Sequence, residues 1–208
     1  MDIGFTANMR DLANLITHSY NGTIDVLGTS MGGILGILIA AQPDIPVRKL
    51  ILNDVGPLVP GELSLALSHF EQNKPLSFTT LEEAVEYHQK YNRSFGPMSD
   101  DQWIQFTLSG LKQNPSGDYV YDYDDFVKQS IIADTHEHDV EFWDRWLEVS
   151  CPVLILRGEK SMALTHETCQ RMQADGPALT IVEFPESGHA PHLLSDEQIA
   201  PISSWLLE

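Results

Sequence analysis

The run Gly28-Thr29-Ser30-Met31-Gly32 constrains this chain more than any other feature, because of what stands on either side of it. Before it, Thr23-Ile24-Asp25-Val26-Leu27 is rich in β-branched residues and reads as a strand. After it, a helix is expected from near Met31 to Ala41, with Pro43 marking its end. In that setting G-x-S-x-G describes a very tight strand-to-helix turn. The serine sits in strained backbone geometry so that its hydroxyl projects outward, and side chains two residues to either side would collide with neighbouring elements. A helix N-terminus also favours negative charge developing beside it. Ser30 is therefore the candidate nucleophile, with the backbone N–H of Met31 aimed at an oxyanion. The bare pattern is common by chance; the flanking strand and helix and the further glycines at 33 and 36 argue against chance here. Gly36 has a separate structural reading, letting the helix pack closely on the sheet.

A turn of this kind needs a sheet beneath it. Met9, Leu12, Ala13 and Ile16 fall at i, i+3, i+4, i+7, so residues 6–18 read as an amphipathic helix. Residues 47–52 read as a second strand, apolar on both faces at its end, as suits a buried parallel strand. From about 56 to 150 helical patterns dominate, near 62–73, 81–93, 99–113 and 139–149, with residues 114–125 as a loop. Thr80-Leu81-Glu82-Glu83 is a capping box. After Cys151-Pro152 the rhythm changes back: strand 153–156, helix 165–174, strand 179–184, then the loop Pro185-Glu186-Ser187-Gly188-His189. A last helix runs to Leu207 with Ile199, Ile202 and Leu206 on one face; Pro201 either marks its true first turn or kinks it. The order predicts an α/β fold, a parallel sheet with helices on both faces. Its core is 1–55 and 151–208, and a helical cap at 56–150 is inserted midway.

Bulk properties narrow the partners. With 30 acidic and 12 basic residues the net charge is −18, which repels phosphate backbones and anionic lipid heads. Nucleic acid and membrane surfaces are thus not expected as partners. The longest apolar run, residues 34–41, is far short of the ~20 residues that span a bilayer. The first residues lack a signal-peptide pattern, and Cys151 and Cys169 read as free thiols, so a cytoplasmic protein is expected.

Three ordered stretches, VLGTSMGG-ILGILIAAQPDIPVRKLILNDVGP, CPVLILRGEKS and FPESGHAPHL, together resemble the α/β-hydrolase superfamily. They are similar in particular to bacterial esterase-like members with GTSMGG…LNDVGP…GHAP. The resemblance covers essentially the whole chain. It implies a hydrolase that cleaves a carboxylic ester or similar acyl bond of a small molecule through an acyl-Ser30 intermediate, with no metal or organic cofactor. His189, in the loop after the last strand and matching the family's terminal Gly-His, is then the general base, and the order Ser…His suits the fold. His192 reads as a surface or supporting residue. His136-Glu137-His138 reads as a solvated stretch rather than a metal pair.

The acid is the open point. The family pattern G-E-x-S-D becomes Gly158-Glu159-Lys160-Ser161-Met162, and methionine cannot accept the hydrogen bond that orients the base. Asp54, just past the strand that follows the elbow helix, is one substitute; some superfamily members place their acid there. The alternative reading makes it a turn residue bonding its own backbone. Glu159 is a weaker candidate, since it directly follows the strand. The resemblance also places residue 1 about a third of the way into the family pattern, so the strand at 23–27 is expected to leave an unpaired edge open to self-association. Rival readings are a carbon–carbon bond hydrolase, an acyl transferase, or a catalytically impaired α/β-hydrolase-fold fragment serving as an interaction module. The aromatics Phe70, Tyr87, Tyr91, Phe95, Trp103, Phe106, Trp143 and Trp146 are expected to build the cap core more than to touch a ligand.

Overall fold

The computed structural model describes residues 5–19, 22–133 and 137–208. Helix α1 (Phe5–Ser19) leads into strand β1 (Ile24–Thr29), helix α2 (Met31–Ala40) and strand β2 (Val47–Asn53). The inserted region follows: β3 (Leu58–Val59), α3 (Gly61–Asn73), β4 (Ser77–Phe78), α4 (Leu81–Tyr91), α5 (Asp100–Ser109), β5 (Leu111–Gln113), β6 (Tyr119–Tyr121), α6 (Asp125–Ala133), β7 (Val140–Glu141) and α7 (Trp143–Glu148). The chain then returns through β8 (Val153–Gly158), α8 (His166–Asp175), β9 (Leu179–Phe184) and α9 (Asp196–Leu207).

The main sheet has the order β1-β2-β8-β9, and every pairing in it is parallel. The alternation of β2 and β8 divides their side chains between two layers. Leu50, Leu52, Val153 and Ile155 pack on one face with Ile34 and Ile37 of α2, Trp143 and Trp146 of α7 and Met172 of α8. Ile51, Leu154, Leu156 and Phe184 pack on the other with Ile202 of α9. Burying each of these aliphatic side chains contributes about 1.5–3 kcal/mol, which is why the stretches Leu50–Leu52 and Val153–Leu156, where the two strands lie side by side, are apolar throughout. Helix α2 is apolar all round because beyond Met31 it is covered on both sides: Ile39 turns away from the sheet to meet Ile16 of α1 and Ile45. A Cβ at Gly36 would stand 2.9 Å from a Leu50 methyl, so that glycine does set the helix close on the sheet. Both cysteines are free and buried, and burial pushes the Cys169 thiol up to about 11.

At the other end of the order, β1 has β2 as its partner among the described residues, and Leu27 is 46% exposed.

The inserted region differs from the all-helical expectation. It contains an antiparallel β3–β7 pair and a three-stranded sheet β4-β6-β5. The predicted helix over 99–113 stops at Ser109 and becomes β5, the predicted loop at 114–125 contains β6, and α6 was not foreseen. Strands of two or three residues are too short to show a period of two, so no pattern distinguishes them from helix ends. The aromatics do build a core: Phe78 contacts Tyr87, His88 and Tyr121, while Phe106 joins His88, Phe95 and Trp103. Trp143 and Trp146 instead belong to the main core, with the Trp146 Nε1–H donated to Met172 O. Thr80 caps α4 by accepting from Glu83 N, but Glu83 returns its carboxylate to Thr79 N, one residue earlier than a capping box requires. Pro201 lies inside α9, six residues into it, and not in its first turn.

Candidate active site

All four parallel strands deliver their carboxyl ends to one edge of the sheet, where open α/β sheets hold their ligands. Ser30 follows β1, Asp54 follows β2, Ser161 lies in the loop after β8 and His189 in the loop after β9. Residues far apart in sequence are thus brought together by strand direction alone.

Ser30 has φ 51° and ψ −120°, a left-handed backbone rarely taken by serine. The turn around it explains two glycines. A Cβ on Gly28 would overlap the carbonyl of Gly32, and one on Gly33 would overlap Val55 and come 3.0 Å from Gly28 O. Gly32 is different: a Cβ there meets nothing within 4 Å. The steric demand on the helix side therefore falls on Gly33, one residue later than the motif suggests. Met31 opens α2, and the first helical bonds run from the Gly33 and Ile34 N–H groups to Ser30 O. Its N–H accordingly belongs to the helix's positive end, next to the serine.

His189 is partly buried. Its Nε2 lies 2.9 Å from Ser30 Oγ and its Nδ1 lies 2.8 Å from Asp54 Oδ2. Asp54 is fully buried, with φ 57°. Its position follows from strand pairing: Asp54 N–H donates to Leu156 O on β8. The carboxylate is saturated with donors. Oδ1 accepts from Gly158 N at 2.9 Å, and Oδ2 accepts from Ser161 Oγ at 2.5 Å as well as facing the histidine. Ser161 Oγ in turn accepts from Ala163 N and Leu164 N. Hydrogen bonds from these donors offset the cost of burying the carboxylate.

The carboxylate that meets His189 is therefore Asp54. Met162 is 76% exposed and Glu159 points to solvent, so neither reaches His189. Reading Asp54 as a turn residue bonding its own backbone does not fit, because its oxygens go to residues over a hundred positions away. His192 contacts Pro97 O and Leu194 N, away from the serine. His136 lies outside the described residues; its neighbours Glu137 and His138 are exposed.

The sequence reading missed the supports. Ser161 could have been found, since it is the serine kept from the G-E-x-S pattern. Asn53 carried no signal: its Nδ2 ties Thr29 Oγ1 to Pro191 O, joining the serine turn to the histidine loop. Among the described residues no group of three metal-ligating side chains comes together, and no helix is long and apolar enough to cross a membrane.

Comparison with known proteins agrees with this architecture. Residues 2–202 match the Alpha/beta hydrolase family, and the chain belongs to it. A 3-hydroxybutyrate-oligomer hydrolase of Cupriavidus necator is 35% identical over 198 residues, covering 91% of this chain and 67% of the relative. A Drosophila melanogaster protein described as a "probable serine hydrolase" is 26% identical, with 91% of this chain and 62% of that protein covered. This chain thus spans about two thirds of the length of these relatives. Among solved structures, an alpha/beta hydrolase from Novosphingobium aromaticivorans superposes with a TM-score of 0.83 at 28% identity, over 98% of this chain and 72% of that one.

Proposed function

We propose that this chain carries the catalytic core of a carboxylic-ester hydrolase working through an acyl-Ser30 intermediate. The observation that carries the reading is the unbroken contact Ser30 Oγ–His189 Nε2, His189 Nδ1–Asp54 Oδ2. Ser30 Oγ attacks the ester carbonyl carbon while His189 Nε2 takes its proton. The resulting oxyanion accepts from the Met31 N–H, and the buried Asp54 carboxylate stabilises the imidazolium. As the carbon–oxygen bond to the leaving group breaks, His189 returns the proton to the departing alkoxide. An ester to Ser30 remains. Water then attacks it, giving its proton to His189, and the carboxylic acid leaves as Ser30 Oγ regains that proton. No step calls on a cofactor. The relative from Cupriavidus necator, named for 3-hydroxybutyrate oligomers, makes short hydroxy-acid esters the first substrates to try.

The test is intact mass after exposure of the folded chain to a reactive phosphonate, with Ser30→Ala alongside. One adduct, lost in Ser30→Ala, is expected; turnover of a 3-hydroxybutyrate dimer would then be followed by release of monomer. A folded chain that takes no adduct would sink the proposal.

A further inference from the structure

Ser30 and Asp54 are held by the sheet, but the loop that carries His189 is held from two sides. From the core, Lys160 N donates to Ser187 O at 2.9 Å, and Gly158 lies so close that a Cβ there would overlap Gly188 O. From the inserted region comes a second set of contacts. Ser94 O accepts from Gly188 N at 2.5 Å, and Ser94 Oγ donates to the carbonyl of His189 itself at 3.3 Å. Further along, His192 Nε2 lies 3.2 Å from Pro97 O, and Gln102 Nε2 donates to Leu194 O at 2.8 Å. Residues 94–102 therefore run as a seam along residues 188–194.

The seam is tightest where the chain turns. Gly96 has φ 101°, and a Cβ built on it would stand 2.5 Å from Ser187 Oγ and 3.5 Å from Ser187 Cα and Cβ. Ser187 is fully buried, and its hydroxyl has no hydrogen-bond partner among the described residues. The turn is thus seated on the histidine loop with no spare volume. A cavity of about 440 Å³ opens along the same seam, lined by Arg93, Gly96, Met98 and Trp103 on one side and by Lys160 and Glu186 on the other. Whatever occupies it touches the turn that touches the base.

We infer that the turn at residues 93–96 is a clamp that sets the position of His189, with Ser94 and Gly96 as positioning residues. The inference rests on the reading of His189 as the base. The clamp fixes the loop backbone, and the ring inherits that position: a shift of the turn moves Gly188 and His189 together, opening the 2.9 Å contact to Ser30 Oγ. The inserted region thereby controls the chemistry.

The test uses Gly96→Ala, Ser94→Ala and the double variant Gly96→Ala/Ser187→Ala, each compared with wild type for thermal unfolding, phosphonate labelling rate across pH, and the ring ¹⁵N shifts of His189, assigned with His189→Gln. Misplacing a reacting group by about 1 Å costs up to ~100-fold, so Gly96→Ala is expected to slow labelling of the folded chain by about 10- to 100-fold and to move the His189 ring shifts. Ser187→Ala removes the atom that the new methyl would strike while leaving the φ penalty at 96 in place. The double variant should therefore recover most of the rate but not the lost melting temperature. Ser94→Ala, which removes one of two bonds, should slow labelling by only a few-fold. A folded Gly96→Ala chain with wild-type labelling and unmoved ring shifts overturns the clamp, as does a double variant that regains stability without rate. If wild type itself takes no label, the nucleophile reading fails while the ring shifts still decide the clamp.

Discussion

Replacing Asp54 by asparagine isolates the role of the acid. Asparagine is the right probe because it keeps the shape and tolerates φ 57°, where alanine would add backbone strain of its own. The carboxylate meets donors at both oxygens: Gly158 N at Oδ1, and Ser161 Oγ and His189 Nδ1 at Oδ2. An amide must therefore turn its NH₂ toward at least one donor. With the NH₂ toward His189, Nδ1 must become an acceptor, and the ring proton moves to Nε2, facing Ser30. That tautomer cannot accept the serine proton. The corresponding change in a serine-protease triad lowers turnover about 10⁴-fold, about 5 kcal/mol of transition-state stabilisation. With the NH₂ toward Gly158 instead, the tautomer is kept and a buried N–H is orphaned, costing about 1–3 kcal/mol of stability. The assay is the phosphonate labelling rate on chains whose folding is checked by circular dichroism, with ester turnover beside it. Expected are a labelling rate lower by three to four orders of magnitude for Asp54→Asn, and no change for Met162→Ala, whose side chain is exposed. A folded Asp54→Asn chain that labels within tenfold of wild type and loses no stability would refute the assignment, as would a large loss from Met162→Ala.

Two further outcomes follow from the same structure. Ser161→Ala withdraws the hydroxyl that donates to Asp54 Oδ2 and leaves the N–H groups of Ala163 and Leu164 without their acceptor; denaturant titration should show a loss of about 1–3 kcal/mol, with slower labelling, and an unchanged midpoint would contradict it. His88, buried beside Thr107 and the rings of Phe78 and Phe106, has its pKa lowered by burial and secondarily by the Lys74 charge. The unfolded chain then binds the proton first, so its contribution to stability is complete above the ordinary histidine value of about 6.5 and is lost as pH falls from there toward the lower folded value. The melting temperature should drop over that window. His88→Gln should flatten the drop, only in part because His192 is lowered in the same direction, and identical pH curves would count against the argument.

The amino-acid sequence by itself determined the serine turn, the candidate base and the layering of the core. Ser30 was legible because its turn is local: a strand, a glycine too crowded for a Cβ and a helix start are neighbours in the chain. The apolar runs at the end of β2 and through β8 made the buried parallel strands equally plain, since a stretch covered on both faces has no polar side to show. His189 was legible through its motif, not through any local geometry. The acid was not. Whether Asp54 serves its own turn or the distant base depends on where β2 sits beside β8 and β9, and parallel pairing between residues a hundred positions apart leaves no periodic trace. The same holds for Ser161, Asn53 and Ser94, whose bonds cross from one loop to another. The short strands of the inserted region were invisible for a different reason, being too brief to establish a period. Local backbone demands are written in neighbouring residues, whereas contacts between strand ends exist only once the sheet has brought them to one edge.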